Sequence, residues 1–212
     1  ILSVKDLNLV VDNLEMTEAS TSGKLPFTFD DYQLNGKNFY FRPDNIYAFT
    51  AQFVTTKDGQ LNIKDLAMIP LLSYQNFTRF YPKKRNLFDF KSSEMEFKDI
   101  ELKDDKITLT KVRFENPDLK MFTTNVKPSE KERSFKYDVT LEDVLFNNAK
   151  VNIVQPNGSP LFSAGTLTMN LHEFLMTEET AEGNFPFQSN DFKINGENLN
   201  FVSSPENVKV YN

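Results

Sequence analysis

The side chains that make nucleophilic triads or zinc sites are nearly absent from this chain. His172 is the only histidine and there is no cysteine. A serine or cysteine nucleophile needs a paired base, and zinc takes mainly Cys and His, so neither a triad nor a usual zinc site is expected. Carboxylates are plentiful, with Asp30-Asp31 the most suggestive pair. Only Asp31 recurs, as Asp191, just before a strand. An Asp there is expected to accept backbone N–H groups rather than to move protons. Lys103-Asp104-Asp105-Lys106 has acids but not the fixed glycine of a calcium loop. No glycine-rich phosphate loop is present among the 7 glycines. The chain therefore reads as non-enzymatic, with no catalytic residue, no metal and no cofactor.

Composition narrows the partners. Net charge is −6 and the pI near 5.0, against a nucleic-acid partner, which needs a basic footprint. Lys83-Lys84-Arg85 is the only basic cluster and reads as a solvated loop. The aromatic set is 21 Phe, 7 Tyr and no Trp. Phenylalanine brings apolar area without a hydrogen-bonding group, so it suits a dry core or a groove that holds something apolar.

The chain repeats itself at a spacing of 160 residues. Met16-Thr17-Glu18 returns as Met176-Thr177-Glu178, Gly23 and Pro26-Phe27 as Gly183 and Pro186-Phe187. Asp31, Asn35-Gly36, Asn38 and Phe41 return as Asp191, Asn195-Gly196, Asn198 and Phe201. Residues 16–41 thus hold 11 identities in 26 positions without a gap. A long period marks an array whose units stack on their neighbours. The expected organisation is residues 1–70 as the C-terminal part of one unit, 71–84 as a short helix and linker, and 85–212 as most of the next unit. On this reading the chain is cut from a longer protein.

Alternation with period two dominates, as in Tyr47/Phe49/Ala51/Phe53, Met95/Phe97, Val112/Phe114 and Leu167/Met169/Leu171. It predicts about a dozen half-buried antiparallel strands. Asn35-Gly36, Asn195-Gly196, Asp58-Gly59 and Asn157-Gly158 carry the residues of tight hairpin turns. The recurring Gly-x-x-Pro-Phe is expected to be a turn plus a strand-entry proline. Ser73 to Pro82 predicts a short amphipathic helix with Phe77, Phe80 and Tyr81 on its apolar face. Residues 123–134 are polar and charged and read as a mobile loop. The fold class is all-β with one short helix: an extended, curved antiparallel sheet or open sandwich, a taco-like groove built from repeated meander units.

Several runs bring a family into view. Leu61-Asn62-Ile63-Lys64-Asp65-Leu66-Ala67-Met68-Ile69-Pro70 is followed by the helix, then by Phe88 and Phe90. Next come Phe97-Lys98-Asp99-Ile100-Glu101-Leu102 and Asn116-Pro117-Asp118-Leu119. Leu141 to Ile153 adds a strand, an Asn-rich step and a second strand. In this order, over most of residues 46–202, they resemble the AsmA-like repeat proteins of the Bacteroidetes envelope. The resemblance implies a periplasmic location within a membrane-anchored protein whose anchor lies outside these residues. It implies a non-enzymatic module that binds or conducts lipid acyl chains in an apolar groove, with phospholipid or another acyl lipid as ligand and other envelope proteins as partners. Groove candidates are Phe39, Phe41, Phe49, Phe53, Phe90, Phe97 and Phe114. The alternative is a structural or protein-interaction β-domain with a filled core and no ligand.

Overall fold

The computed structural model describes residues 1–16, 31–103, 106–126, 138–177, 180 and 188–201. They form one twelve-stranded sheet and one short helix. The strands are β1 (Leu2–Asp12), β2 (Asp31–Phe41), β3 (Tyr47–Lys57), β4 (Gln60–Pro70), β5 (Asn86–Lys98), β6 (Glu101–Lys103) and β7 (Lys106–Glu115). There follow β8 (Asp118–Thr123), β9 (Asp138–Val154), β10 (Pro160–Met176), β11 (Asp191–Glu197) and β12 (Asn200–Phe201). The lateral order is β1-β2-β3-β4-β5-β7-β9-β10-β11, with β6 on β7 and β12 on β10. β7 and β8 share one position in this order, since both lie between β5 and β9.

The sheet is mixed where a purely antiparallel one is expected. β7 and β8 run parallel to β9, and all other pairings are antiparallel. This single parallel step has a geometric consequence. From β1 to β10 there are six antiparallel steps and one parallel one, so β10 points the way β1 does. Seven antiparallel steps would have reversed it. The sequence repeat is therefore a structural repeat with its direction preserved.

The register shows how faithful that repeat is. Asp12↔Asp31, Val11↔Tyr32 and Leu9↔Leu34 in the first hairpin become His172↔Asp191, Leu171↔Phe192 and Met169↔Ile194 in the second. Leu2↔Phe41 becomes Phe162↔Phe201. Each partner is displaced by the same 160 positions. Asn38 and Asn198, at φ 52° and 54°, keep the same left-handed backbone.

Asn35-Gly36 and Asn195-Gly196 are not turns. They lie inside β2 and β11. The glycines answer a different need: a Cβ on Gly36 would stand 2.4 Å from the Phe39 ring, and one on Gly196 3.0 Å from Leu199. The left-handed Asn two residues after each glycine folds the next side chain back over it. Gly36→Ala should therefore cost about 1–3 kcal/mol by overpacking, and Gly196→Ala less, as measured by urea denaturation. Asp58-Gly59 does make a two-residue hairpin turn, with φ 51° and 70° between paired Lys57 and Gln60. Asn157-Gly158 also lies in a turn.

Left-handed Asn and Asp residues mark a line across the sheet. Asp6, Asn38, Asp65, Asn116, Asn148 and Asn198 have φ between 48° and 54° and sit at neighbouring registers. Asn148 Nδ2 donates to Asn116 Oδ1 at 2.6 Å, and Asn116 Nδ2 to Ser93 Oγ at 3.0 Å. Asn and Asp tolerate this conformation because their short polar side chains bond locally. Each such residue breaks the alternation by one step.

The helix, α1 (Tyr74–Phe80), is capped by Ser73, whose Oγ accepts from the Asn76 N–H. It packs against the ends of β3, β5 and β8. Phe77 is fully buried with Ile46 and Leu87, and Tyr81 packs against them. Phe80 is 60% exposed, with the Arg79 guanidinium 5.6 Å from its ring, so it is not on the buried face. Of the expected loop, Thr123 closes β8 and residues 124–126 are described; the rest, like the Gly-x-x-Pro-Phe elements, lies outside the described residues.

Candidate functional site

In a sheet, directly opposed residues point to one face. Following the pairs sideways gives Leu9–Leu34–Thr56–Leu61–Phe97–Val112–Val144–Leu171–Phe192, a row across nine strands with one polar member. The row one residue away is Asn8–Asn35–Thr55–Asn62–Glu96–Arg113–Leu145–Asn170–Lys193, with one apolar member. At these registers one face is apolar across all nine strands and the other polar; at the α1 end the second face also carries the apolar row Leu87–Phe122–Val154. The polar face is tied by Glu96 to Lys98 at 3.3 Å and to Arg113 at 3.1 Å.

The apolar face extends beyond this row. Gly36–Val54–Ile63–Met95–Phe114–Phe146–Met169–Ile194 is the next. Past the line of left-handed residues comes Leu2–Phe41–Phe49–Met68–Phe90–Leu119–Val151–Ala164. Phe114 and Phe146 stack with centroids 4.6 Å apart, and Phe90 meets Phe114 edge-on at 6.2 Å.

At the middle of this face lies a trough of about 560 Å³, open on one side. Side chains from β5, β7, β9 and β10 line it, and all 11 are apolar, Phe97, Phe114, Leu141, Phe146, Met169 and Phe174 among them. Val112, Val144, Leu109 and Leu171 form its buried floor. A smaller cleft of about 370 Å³ beside α1 mixes polar and apolar side chains, including Lys84 and Asn125.

Of the seven candidate phenylalanines, Phe97 and Phe114 line the trough. Phe90 touches Phe114, Phe41 and Phe49 lie 6.2 Å apart in the neighbouring row, and Phe39 covers Gly36 on the same face. Phe53 is the correction. It stands in the row Lys37–Phe53–Lys64–Glu94–Glu115–Asn147, on the polar face. The alternation Tyr47/Phe49/Ala51/Phe53 slips at Gln52, on the line of left-handed residues, and Val54 takes the apolar place. Further slips, off that line, bring Val144 and Phe174 onto the trough face beside Leu141 and Leu171. Val144 lies three residues from Leu141, and Phe174 three from Leu171. A left-handed Glu173 between the last two was the missing signal.

The polar side chains singled out from the sequence are on the periphery. Asp31 opens β2 and accepts the Tyr32 N–H at 2.7 Å. His172 is exposed, its Nδ1 3.0 Å from Asp143 Oδ1 across the β9–β10 ladder. That hydrogen bond holds the imidazole pKa above its ordinary 6.5. A raised value means the pair's stabilisation is fully present below the unfolded pKa and lost as pH rises through the folded one. NMR titration of this single histidine should give a midpoint above 6.5 that Asp143→Asn lowers. Among the described residues, no group of three or more metal-ligating side chains converges, and no helix is long and apolar enough to cross a membrane. No protein family, no curated protein and no solved structure matches the chain.

Proposed function

We propose that the trough binds lipid acyl chains, in a non-enzymatic periplasmic module of an AsmA-like envelope protein. The observation that carries this reading is an apolar face continuous across nine strands and hollowed into an all-apolar trough. An acyl chain laid there leaves water for Phe, Leu, Val and Met surface, gaining about 0.8 kcal/mol per buried CH₂. The headgroup stays at the open side, in water. The mechanism is passive, needing neither a nucleophile nor a metal. Because the structural repeat keeps its direction, further units of this kind would extend one trough along one face. The row of Leu9 reaches Leu171, while the repeat carries Leu9 to Met169, so the two hairpins are offset by two residues along the strands. That even step keeps the same side chains on the same face.

Native mass spectrometry of the lipid-stripped chain, titrated with phosphatidylglycerol and phosphatidylethanolamine, tests the proposal. Adducts of one acyl lipid per chain, displaced by free palmitate, are the expected result. A bare mass at every lipid concentration sinks it and favours a protein-interaction domain whose apolar face meets polypeptide.

A further inference from the structure

The two copies of the hairpin differ in what lies beside them, and each shows what the other's outer edge is built to receive. In the second copy, β10 is paired on its far side by β9 through Phe162↔Ile153, Ala164↔Val151, Met169↔Phe146, Leu171↔Val144 and His172↔Asp143. In the first copy, β1 is the end of the lateral order, and among the described residues no strand pairs with its outer edge. The consequence for burial is direct. Leu171 is 8% exposed and Ala164 2%, and Phe162 and Met169 are half-buried. On the unpaired edge, Leu2, the counterpart of Phe162, is 70% exposed and Leu9, the counterpart of Met169, 55%, while Val4 and Val11, the counterparts of Ala164 and Leu171, are only half-buried.

We infer that the outer edge of β1 is a docking edge for an antiparallel polypeptide strand of β9's kind, carrying a cationic side chain where β9 carries Asp143. Carrying the β10 register back by 160 positions gives the seating. Leu2 faces the position of Ile153, Leu9 that of Phe146, Val11 that of Val144, and Asp12 that of Asp143. The first pairs continue the apolar rows onto the new strand. The last pair decides the charge. In the second copy Asp143 meets His172, whereas at β1 the same place is Asp12, already opposite Asp31. An aspartate opposite Asp12 would put a third carboxylate beside two, and like charges directly opposed destabilise a ladder. A lysine or arginine there pairs with both. The docked strand also needs a left-handed Asn or Asp at the place of Asn148, near the left-handed Asp6, to follow the same bend. The geometry excludes a flat strand of unbroken alternation, because past the bend its apolar residues would turn to the polar face.

The test joins a second copy of the Asp138–Val154 sequence ahead of Ile1 through a flexible Gly/Ser linker, which makes pairing intramolecular at millimolar effective concentration. The added segment is made in three forms: native, with its Asp143→Lys, and scrambled. Hydrogen exchange of the β1 amides is read for each, with the β10 amides as the internal standard of a folded sheet. The expected result is at least tenfold slower exchange along β1 for the Asp143→Lys form. The native form should protect roughly two- to fivefold less, the size of an exposed charge effect, and Asp12→Lys in the main chain should reverse that order. Equal exchange for ordered and scrambled segments, or indifference to the charge at that one position, would overturn the inference.

Discussion

Phe77→Ala should lower the stability of the chain by about 3–5 kcal/mol, the largest loss expected from a single truncation among the described residues. Phe77 has no exposed surface and fills the space between Ile46 and Leu87, with the Tyr81 ring 6.1 Å away and Leu72 and Phe122 around the cluster. Removing the ring leaves a hole that the sheet cannot close, because β3, β5 and β8 are held by their ladders. The expected observable is a lower urea midpoint with an unchanged slope. Phe80→Ala is the internal control. Its ring is largely in solvent, and the change should stay within about 0.5 kcal/mol. Equal effects at the two positions would mean that α1 does not pack through one face.

The second large effect concerns binding. Met169→Asp places a carboxylate on the wall of the trough, where an acyl chain would have to lie against it. Such a group must be desolvated or protonated when the chain binds, a penalty of roughly 2 kcal/mol or more. That lowers acyl-lipid affinity at least about thirtyfold. Phe53→Asp is the matched comparison: the same carboxylate introduced in the same sheet, but on the polar face between Lys37 and Lys64. It should leave affinity unchanged within about twofold. Both variants are to be measured by fluorescence titration with a labelled fatty acid, after circular dichroism shows the sheet intact. Loss of affinity in both would point to unfolding or to binding elsewhere.

Much of this architecture is legible in the residues, for stated physical reasons. Period-two alternation requires half-buried strands, and the Ser73 cap with Pro82 beyond the last turn bounds the helix. The 160-residue repeat is the same hairpin twice, paired in the same register. What the pattern cannot carry is the effect of isolated left-handed residues inside strands. An Asn-Gly pair has the composition of a type I′ turn, yet Gly36 is needed because Asn38 returns Phe39 across it. The same local conformation, placed at Asn and Asp residues along one line, shifts the inward face by one residue. That is why alternation alone puts Phe53 on the apolar face; a separate slip, at the left-handed Glu173, keeps Phe174 out of the alternating pattern. Nor does alternation distinguish parallel from antiparallel neighbours, so the parallel step between β7 and β9 has no sequence signal.

The most direct test of the acyl-binding trough is photo-crosslinking with a phospholipid carrying a diazirine in its acyl chain, followed by peptide mapping. Adducts concentrated on Phe97, Phe114, Phe146, Met169 and their neighbours on the apolar face, competed away by unlabelled lipid, are the expected result. Adducts spread over both faces, or none above the level of a soluble diazirine control, would contradict it.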